Sequence, residues 1–464
     1  MNSADGNNDV GLIRQLGLFD TTMVVTGIVI GSGIFLTTGI MAEDIPSASL
    51  IMLAWLLGGL HALAGALTYA ELGASIPEAG GQYVYLREAY GRFAGYIFGW
   101  ISFIAYLTGI IAGLAVGFAE TFGYFYPALG TGNALLQVDI PLGGWTYHYV
   151  LSAGQLLAVA MIVIISGFNY MGVVFGKIIQ NISTVIKVGA ILVFIILGLS
   201  IGPGEPIDWS LNPEGLDLSR MVMGFGIALV AVAWATAGWE EVSFIAGEIK
   251  DPSRNIPRAL VIGTATITVL YLLMNFIYLR AMPIEQMRGV IRIGEITSNL
   301  LFGELGASLL AAAVAISILG SINGTVLVGP RVYYAMARDN LFFKNVAKVH
   351  PRFHTPGPAI ILQAAWAIVL TLSGTFEDLI IFVTFANLIL WIAGAAAVFT
   401  LRKKRPDLPR PYKTWGFPFV PIFFIVVSAC VLVNSLWEAP GQSLAGLGLI
   451  LLGVPIYWVW RKEN

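Results

Sequence analysis

The stretch Gly27-Ile28-Val29-Ile30-Gly31-Ser32-Gly33 sets three glycines into the middle of an apolar run covering residues 20–42. A helix needs about 20 largely apolar residues to cross a bilayer, so this run is long enough to span one. Glycine inside a helix costs about 1 kcal/mol relative to alanine, and three so close together invite local unwinding at mid-depth. Close packing against a neighbouring helix is the other use of such glycines. It is the better account of Gly109, Gly113 and Gly117, which recur at four-residue intervals in a later run.

Runs of the same kind recur near residues 48–73, 93–127, 150–169, 178–202, 219–247, 259–281, 305–337, 358–374, 378–401, 417–437 and 443–461, making twelve candidate spans. Of the 464 residues, 57% are hydrophobic and only 11% are charged, where a typical soluble protein carries about 25% charged residues. A soluble enzyme is excluded. A net charge of −2 provides no basic field for nucleic acid. The single cysteine, Cys430, and four scattered histidines exclude an intrachain disulfide framework and argue against a metal site. His350 and His354 are four apart, but Pro351 and Pro356 break any helix that would align them. The expected fold class is an all-α integral membrane protein with 12 transmembrane helices.

Basic residues set the orientation of such a chain. Twenty of the 25 Lys and Arg residues fall at the N-terminus, in every second connection, or at the C-terminus. Only Arg220, Arg280, Arg288 and Arg292 fall on the other side, and Lys187 lies within a span. Both termini are therefore expected in the cytoplasm of a multi-pass cell-membrane protein, with the 128–149 loop outside. The first 17 residues carry one basic residue, Arg14, and lack the basic start of a signal peptide.

Residues Ala235-Thr236-Ala237-Gly238 put a softer version of the same weakness into the sixth span. Spans 1 and 6 correspond if residues 20–202 and 219–401 are two five-helix repeats. Interrupted segments at matching positions of two halves point to the binding site of a secondary transporter. The expected division is an N-terminal segment 1–19, repeat 20–202, linker 203–218, repeat 219–401, basic loop 402–416 and a closing pair of spans, 417–464.

Several motifs resemble the amino acid–polyamine–organocation (APC) superfamily, and within it the L-type amino acid transporter (LAT) branch. Gly31-Ser32-Gly33-Ile34-Phe35 resembles the unwound motif of its first span. Ala66-Leu67-Thr68-Tyr69-Ala70-Glu71-Leu72-Gly73, with Ile76-Pro77 and Ala79-Gly80-Gly81-Gln82-Tyr83, is similar to the stretch after span 2. Gly247-Glu248-Ile249-Lys250-Asp251-Pro252 through Pro257 resembles the loop after span 6. Gly320-Ser321-Ile322-Asn323-Gly324, Arg331 and Ala335-Met336-Ala337-Arg338-Asp339 resemble span 8, and Arg405-Pro406-Asp407-Leu408-Pro409-Arg410-Pro411-Tyr412 closes the pattern. The resemblance implies two inverted five-helix repeats with broken helices 1 and 6, two peripheral helices, and alternating access for free amino acids without ATP. The chain has no GxxxxGK[ST] loop.

A zwitterionic amino acid must leave water with both charges, and a broken helix offers a complement to each. Carbonyls ending the first half of span 1, around Val29 and Ile30, suit an ammonium group. The free amides of Ser32, Gly33 and Ile34 suit a carboxylate. The resemblance implies further carbonyls for the ammonium from span 6, at Trp234, Ala235 and Ala237. It also aligns Trp234 with an aromatic lid over the substrate side chain, and Phe385 and Asn387 with a stretch beside the substrate.

Lys187 sits roughly 14 Å along a helix begun at Ile178, at 1.5 Å per residue, near the middle of a ~30 Å core. A basic residue at that depth costs about 2.5–3.5 kcal/mol to insert, so partners must compensate. The resemblance implies an ammonium where sodium-coupled relatives hold sodium, between spans 1, 5 and 8. Gly27 and Ser321 are the expected partners, and Ser317 and Thr325 flank Ser321 at i±4. Glu240 follows the second break, where it orients the unwound segment or contacts a cationic substrate.

The expected function is a sodium-independent amino acid transporter, an exchanger of neutral L-amino acids. The alternative is a proton-coupled or cationic amino acid or polyamine carrier. A membrane-embedded enzyme is disfavoured, since the spans hold no nucleophile–histidine pair, and a channel lacks a filter sequence. No cofactor is expected; the partners are the amino acid and the lipid bilayer. Animal LAT-type proteins join a glycoprotein heavy chain through a cysteine between spans 3 and 4. Pro127 to Tyr149 has none, so no disulfide-linked heavy chain is expected.

Overall fold

The computed structural model describes residues 11–142, 145–201, 206–373, 376–438 and 440–462. The expected N-terminal segment 1–19, linker 203–218, closing segment 417–464 and, at a few positions each, the repeats 20–202 and 219–401 therefore lie partly outside the described residues. The first apolar run is two helices, α1 (Leu18–Val29) and α2 (Gly33–Asp44). There follow α3 (Ala48–Ser75), α4 (Gln82–Tyr90), α5 (Arg92–Ile101), α6 (Leu107–Gly123), α7 (Ala153–Tyr170) and α8 (Val173–Ser200). The second half holds α9 (Leu218–Ala235), α10 (Pro252–Ala281), α11 (Ile284–Met287), α12 (Ile293–Val328), α13 (Pro330–Arg338) and α14 (Gly357–Ser373). The last are α15 (Phe376–Lys404), α16 (Phe419–Glu438) and α17 (Pro440–Lys462).

Among the described residues ten helical segments are long and apolar enough to cross a membrane, and Gly357–Ser373 and Leu444–Trp458 are shorter apolar helices. The all-helical expectation needs one correction. Strand β1 (Ala134–Leu142) pairs antiparallel with β2 (Trp145–Ser152) in the connection after α6. Val138 and Ile140 in β1, and Trp145, Thr146, Tyr147, Tyr149 and Val150 in β2, are residues that favour a pleated strand. The hairpin runs straight into α7, whose first turn is closed by a capping box: Ser152 Oγ accepts from the Gln155 amide, and Gln155 Oε1 accepts from the Ser152 amide.

At the centre, α1 packs against α8, α10 and α12, and α2 lies against α9. Polar ties hold α8 in place. The Met23 carbonyl accepts from Gln180 Nε2 and Thr184 Oγ1, and Asn323 Nδ2 donates to Gln180 Oε1. The Asn323–Gln180 bond is fully buried and the two to Met23 are partly buried, and each satisfies a polar group that lipid could not.

The two apolar breaks differ in kind. In span 1 the helix stops at Val29 and restarts at Gly33. In span 6, α9 ends at Ala235 and a 3₁₀ stretch runs from Trp239 to Glu248. Between them Gly238 has φ +100°, in the left-handed region. A Cβ there would stand 2.6 Å from Ile28 Cγ2, so the residue is glycine for both conformation and space. The breaks meet: a Cβ on Gly33 would lie 2.9 Å from the Ala235 Cα.

Candidate functional site

The two breaks form one wall of a cavity of about 260 Å³. Gly31, Ser32 and Gly33 face it from span 1, and Trp234, Ala235, Ala237 and Gly238 from span 6. The facing wall is α6, through Gly109, Gly113 and Gly117, joined by Thr325 of α12 and by Asn387, Leu388 and Trp391 of α15. The glycine triad was expected to serve helix packing. Instead its bare face makes room for the cavity, and a Cβ on Gly117 would meet nothing within 4 Å.

A π-helical turn, Ser102–Tyr106, precedes α6. Such a turn changes the helix face presented beyond it, and here it brings Tyr106 onto the cavity wall. The Tyr106 hydroxyl lies 3.0 Å from Glu240 Oε1 and 3.1 Å from Glu241 Oε1. Trp391 Nε1 donates to Glu240 Oε1 at 2.6 Å. Both carboxylates are fully buried. Glu241 lines the cavity, whereas Glu240 stands behind it.

Lys187 is 1% exposed. Its Nζ donates to the carbonyls of Gly27 at 2.8 Å, Ile30 at 2.7 Å and Ser317 at 2.8 Å, with Ser321 Oγ at 3.4 Å. Three carbonyls thus match the three donors of an ammonium group. Ser317 and Ser321 also donate to the Ile30 carbonyl, at 2.8 and 3.2 Å, and Ser321 Oγ lies 3.1 Å from the Gly27 carbonyl. Of the two partners expected from the sequence, the Gly27 carbonyl is one of the short contacts and the Ser321 hydroxyl is the longest. The Ile30 and Ser317 carbonyls join them because the first half of span 1 ends by pointing its carbonyls at α8 and α12.

Those bonds change the expected reading of Val29 and Ile30. The Val29 carbonyl accepts from the Tyr271 hydroxyl at 3.1 Å and from the Gly31 amide. The Ile30 carbonyl is engaged by Lys187, Ser317 and Ser321. Both carbonyls therefore already accept protein donors. On the positive side of the break, Phe35 N bonds back to the Ser32 carbonyl. The preceding amides of α2, at Gly33 and Ile34, belong to a first helical turn, which has no intrahelical acceptor. Phe385 is 4% exposed and does not line the cavity, although Asn387 two residues on does.

The mouth of the cavity is charged. Arg292 lies 3.7 Å from Glu120 and 3.6 Å from Glu295, and all three side chains line it. The opposite end is closed. Arg331 and Glu248, both fully buried, form a two-point ion pair at 2.7 and 2.9 Å. The amides of Gln15 and Leu16 donate to the Glu248 carbonyl, and the Lys250 amide donates to Leu16. Asp339 accepts from Tyr83 at 2.7 Å and pairs with Arg87.

An amino acid permease family model matches residues 16–460. The chain belongs to the amino acid permease family. A serine/threonine exchanger of Bacillus subtilis is 33% identical over 98% of this chain and 99% of its own length. The human large neutral amino acids transporter small subunit 2 is 29% identical over 99% of the chain and 83% of its length. The human cystine/glutamate transporter is 27% identical over 99% and 88%. The permease is therefore a member of the APC superfamily on its LAT branch, and it is a transporter rather than an enzyme.

Several of the permease's cavity residues escaped sequence reasoning. Tyr106 sits in an ordinary apolar run, and only the π turn directs it inward. Glu241 was visible as an acid in a span, but its neighbour Glu240 drew the attention. Glu71, at the end of α3, is a structural hub: it pairs with Arg402 at 2.6 Å and accepts from the Thr414 amide at 2.7 Å. The aromatic Trp239 packs edge-on to Tyr69 and against Phe424.

Proposed function

We propose that this permease exchanges neutral L-amino acids across the cell membrane by alternating access and without sodium. The observation that carries the proposal is the Lys187 ammonium held by three carbonyls at the junction of span 1 and α12. It supplies there the positive charge that a bound sodium ion would bring. The names of the relatives, a serine/threonine exchanger and a large neutral amino acids transporter subunit, support the substrate class.

In this reading the substrate carboxylate meets the Ser32, Gly33 and Ile34 amides at the positive end of α2. Its ammonium meets span 6 carbonyls near Trp234, Ala235 and Ala237, because Val29 and Ile30 already accept protein donors. Trp234 covers the side chain, a role Phe385 does not share. Twelve spans in two inverted repeats, 20–202 and 219–401, with two peripheral helices, account for the paired breaks. Both termini face the cytoplasm, consistent with the basic connections that share their side. The permease works without a disulfide-linked partner, since its only cysteine, Cys430, lies in α16.

Liposomes carrying the purified protein test this reading. Those loaded with an unlabelled neutral amino acid should take up labelled neutral amino acid, empty ones should not, and choline should replace sodium without effect. Uptake into empty liposomes driven by an imposed pH gradient would favour the proton-coupled alternative.

A further inference from the structure

Four buried polar atoms cluster around the end of the cavity where Tyr106 stands, and none has a hydrogen-bond partner among the described residues: Glu240 Oε2, Glu241 Oε2, Thr325 Oγ1 and Asn387 Oδ1. Thr325 lies beside Glu241 and Asn387 beside Glu240. Three of these residues, Glu241, Thr325 and Asn387, line the cavity itself. Buried polar groups are normally paired, and orphans gathered at one cavity wall therefore point to a ligand.

We propose that Glu241, Thr325 and Asn387 form a side-chain subsite that binds the hydroxyl of a short hydroxyl-bearing amino acid and so selects it over apolar amino acids of the same shape. The inference rests on the cavity being the substrate site.

The chemistry follows from the donor count. Glu240 and Glu241 share one strong donor, the Tyr106 hydroxyl, and Trp391 serves Glu240 alone. The Thr325 hydroxyl and the Asn387 amide are the other donors at hand, and they stand beside Glu241 and Glu240 in contacts too loose to pair the remaining carboxylate oxygens. A substrate hydroxyl brings a donor for Glu241 or Asn387 and a lone pair for the Thr325 hydroxyl. An apolar side chain of equal size fills the same volume but adds no partner for any of these atoms. A site built this way discriminates far better than one relying on a methyl-sized difference in shape.

Distance decides between a hydroxyl and a longer cationic side chain. Glu241 Oε1 lies 3.8 Å from where a Cβ on Gly238 would stand, at the break of span 6 itself. Glu241 thus stands next to the break, and in the proposed pose, with the α-groups held by the two breaks, a β-hydroxyl is the substrate group nearest to it. The ammonium of a lysine-like side chain lies several carbons beyond it.

The test uses isosteric pairs. Competition by threonine against valine, and by serine against alanine, is measured on exchange in proteoliposomes. The expected result is a preference for the hydroxyl member of each pair of about tenfold or more in kcat/KM. Glu241→Leu and the near-isosteric Thr325→Val should each shrink the threonine-to-valine ratio, with elution profile and thermal melting reporting that the variants are folded. Equal handling of threonine and valine by the wild type, while exchange itself proceeds, overturns this inference and leaves the exchanger reading standing. Preference for lysine over threonine overturns it also, by giving the carboxylates the role of countercharge. No exchange of any amino acid removes the reading of the cavity as a substrate site, and the subsite with it.

Discussion

Lys187 shows how a charge survives in the middle of a bilayer. An isolated ammonium at that depth is costly, yet Nζ here has three carbonyl acceptors within 2.8 Å. Two of them are on span 1, Gly27 in the last turn of α1 and Ile30 at the break itself, and the third, Ser317, is on α12. Lys187 thus pins the break of one helix to another. Lys187→Ala leaves these carbonyls unmatched in a dry site, at about 1–3 kcal/mol per group, and frees span 1 from α12. Exchange should fall to near background while the protein still reaches the membrane. Lys187→Arg should not restore it, since a planar guanidinium cannot stand in for a compact ammonium. Wild-type exchange rates in the alanine variant would remove Lys187 from the proposed mechanism.

At the scale of the element, the breaks in spans 1 and 6 depend on each other. Span 1 opens because glycine and serine follow Ile30, and span 6 opens because Gly238 turns left-handed. They then pack so closely that Gly33 has no room for a side chain beside Ala235. Gly33→Val should push α2 from α9 and block the amides proposed for the carboxylate. The expected outcome is loss of substrate-dependent thermal stabilisation together with loss of exchange. A variant that still gains stability from substrate as the wild type does would move the carboxylate site away from α2. The α6 glycines carry the complementary lesson: spacing that suits helix packing equally suits a helix that must yield volume to a ligand.

The whole molecule is open at one end and latched at the other. Arg292, Glu120 and Glu295 surround the cavity mouth, while Arg331–Glu248, Asp339 and the strapped N-terminal segment close the far side. Removing one partner of a buried pair such as Arg331–Glu248 costs about 3–5 kcal/mol, because it leaves the other charge buried and unpaired. The latched side carries the basic connections, which sets the proposed orientation with the open mouth and the β-hairpin outside. In a Cys430→Ser background, Leu135→Cys at the hairpin, where the native side chain is 54% exposed, should react with a membrane-impermeant thiol reagent on intact cells. Reaction only after permeabilisation would reverse the orientation.

The sequence by itself determined the membrane setting, the weak points at Gly31–Gly33 and Ala235–Gly238, the buried depth of Lys187 and the order of the family motifs. Each of these is a property of a local stretch: its transfer free energy, its helix propensity or its charge. Even the hairpin was written locally, in the β-branched and aromatic residues around Val138 and Tyr149, though an apolar helical chain drew attention away from it. Only the tertiary structure decided that Ile30 answers to Lys187 rather than standing open, that the α6 glycines face a cavity, that Phe385 turns away from it, and that Tyr106 bridges Glu240 and Glu241. Those outcomes depend on how each helix is rotated about its axis, which the π turn at Ser102–Tyr106 and the packing of helices more than a hundred residues apart set together, and no window of neighbouring residues contains that information.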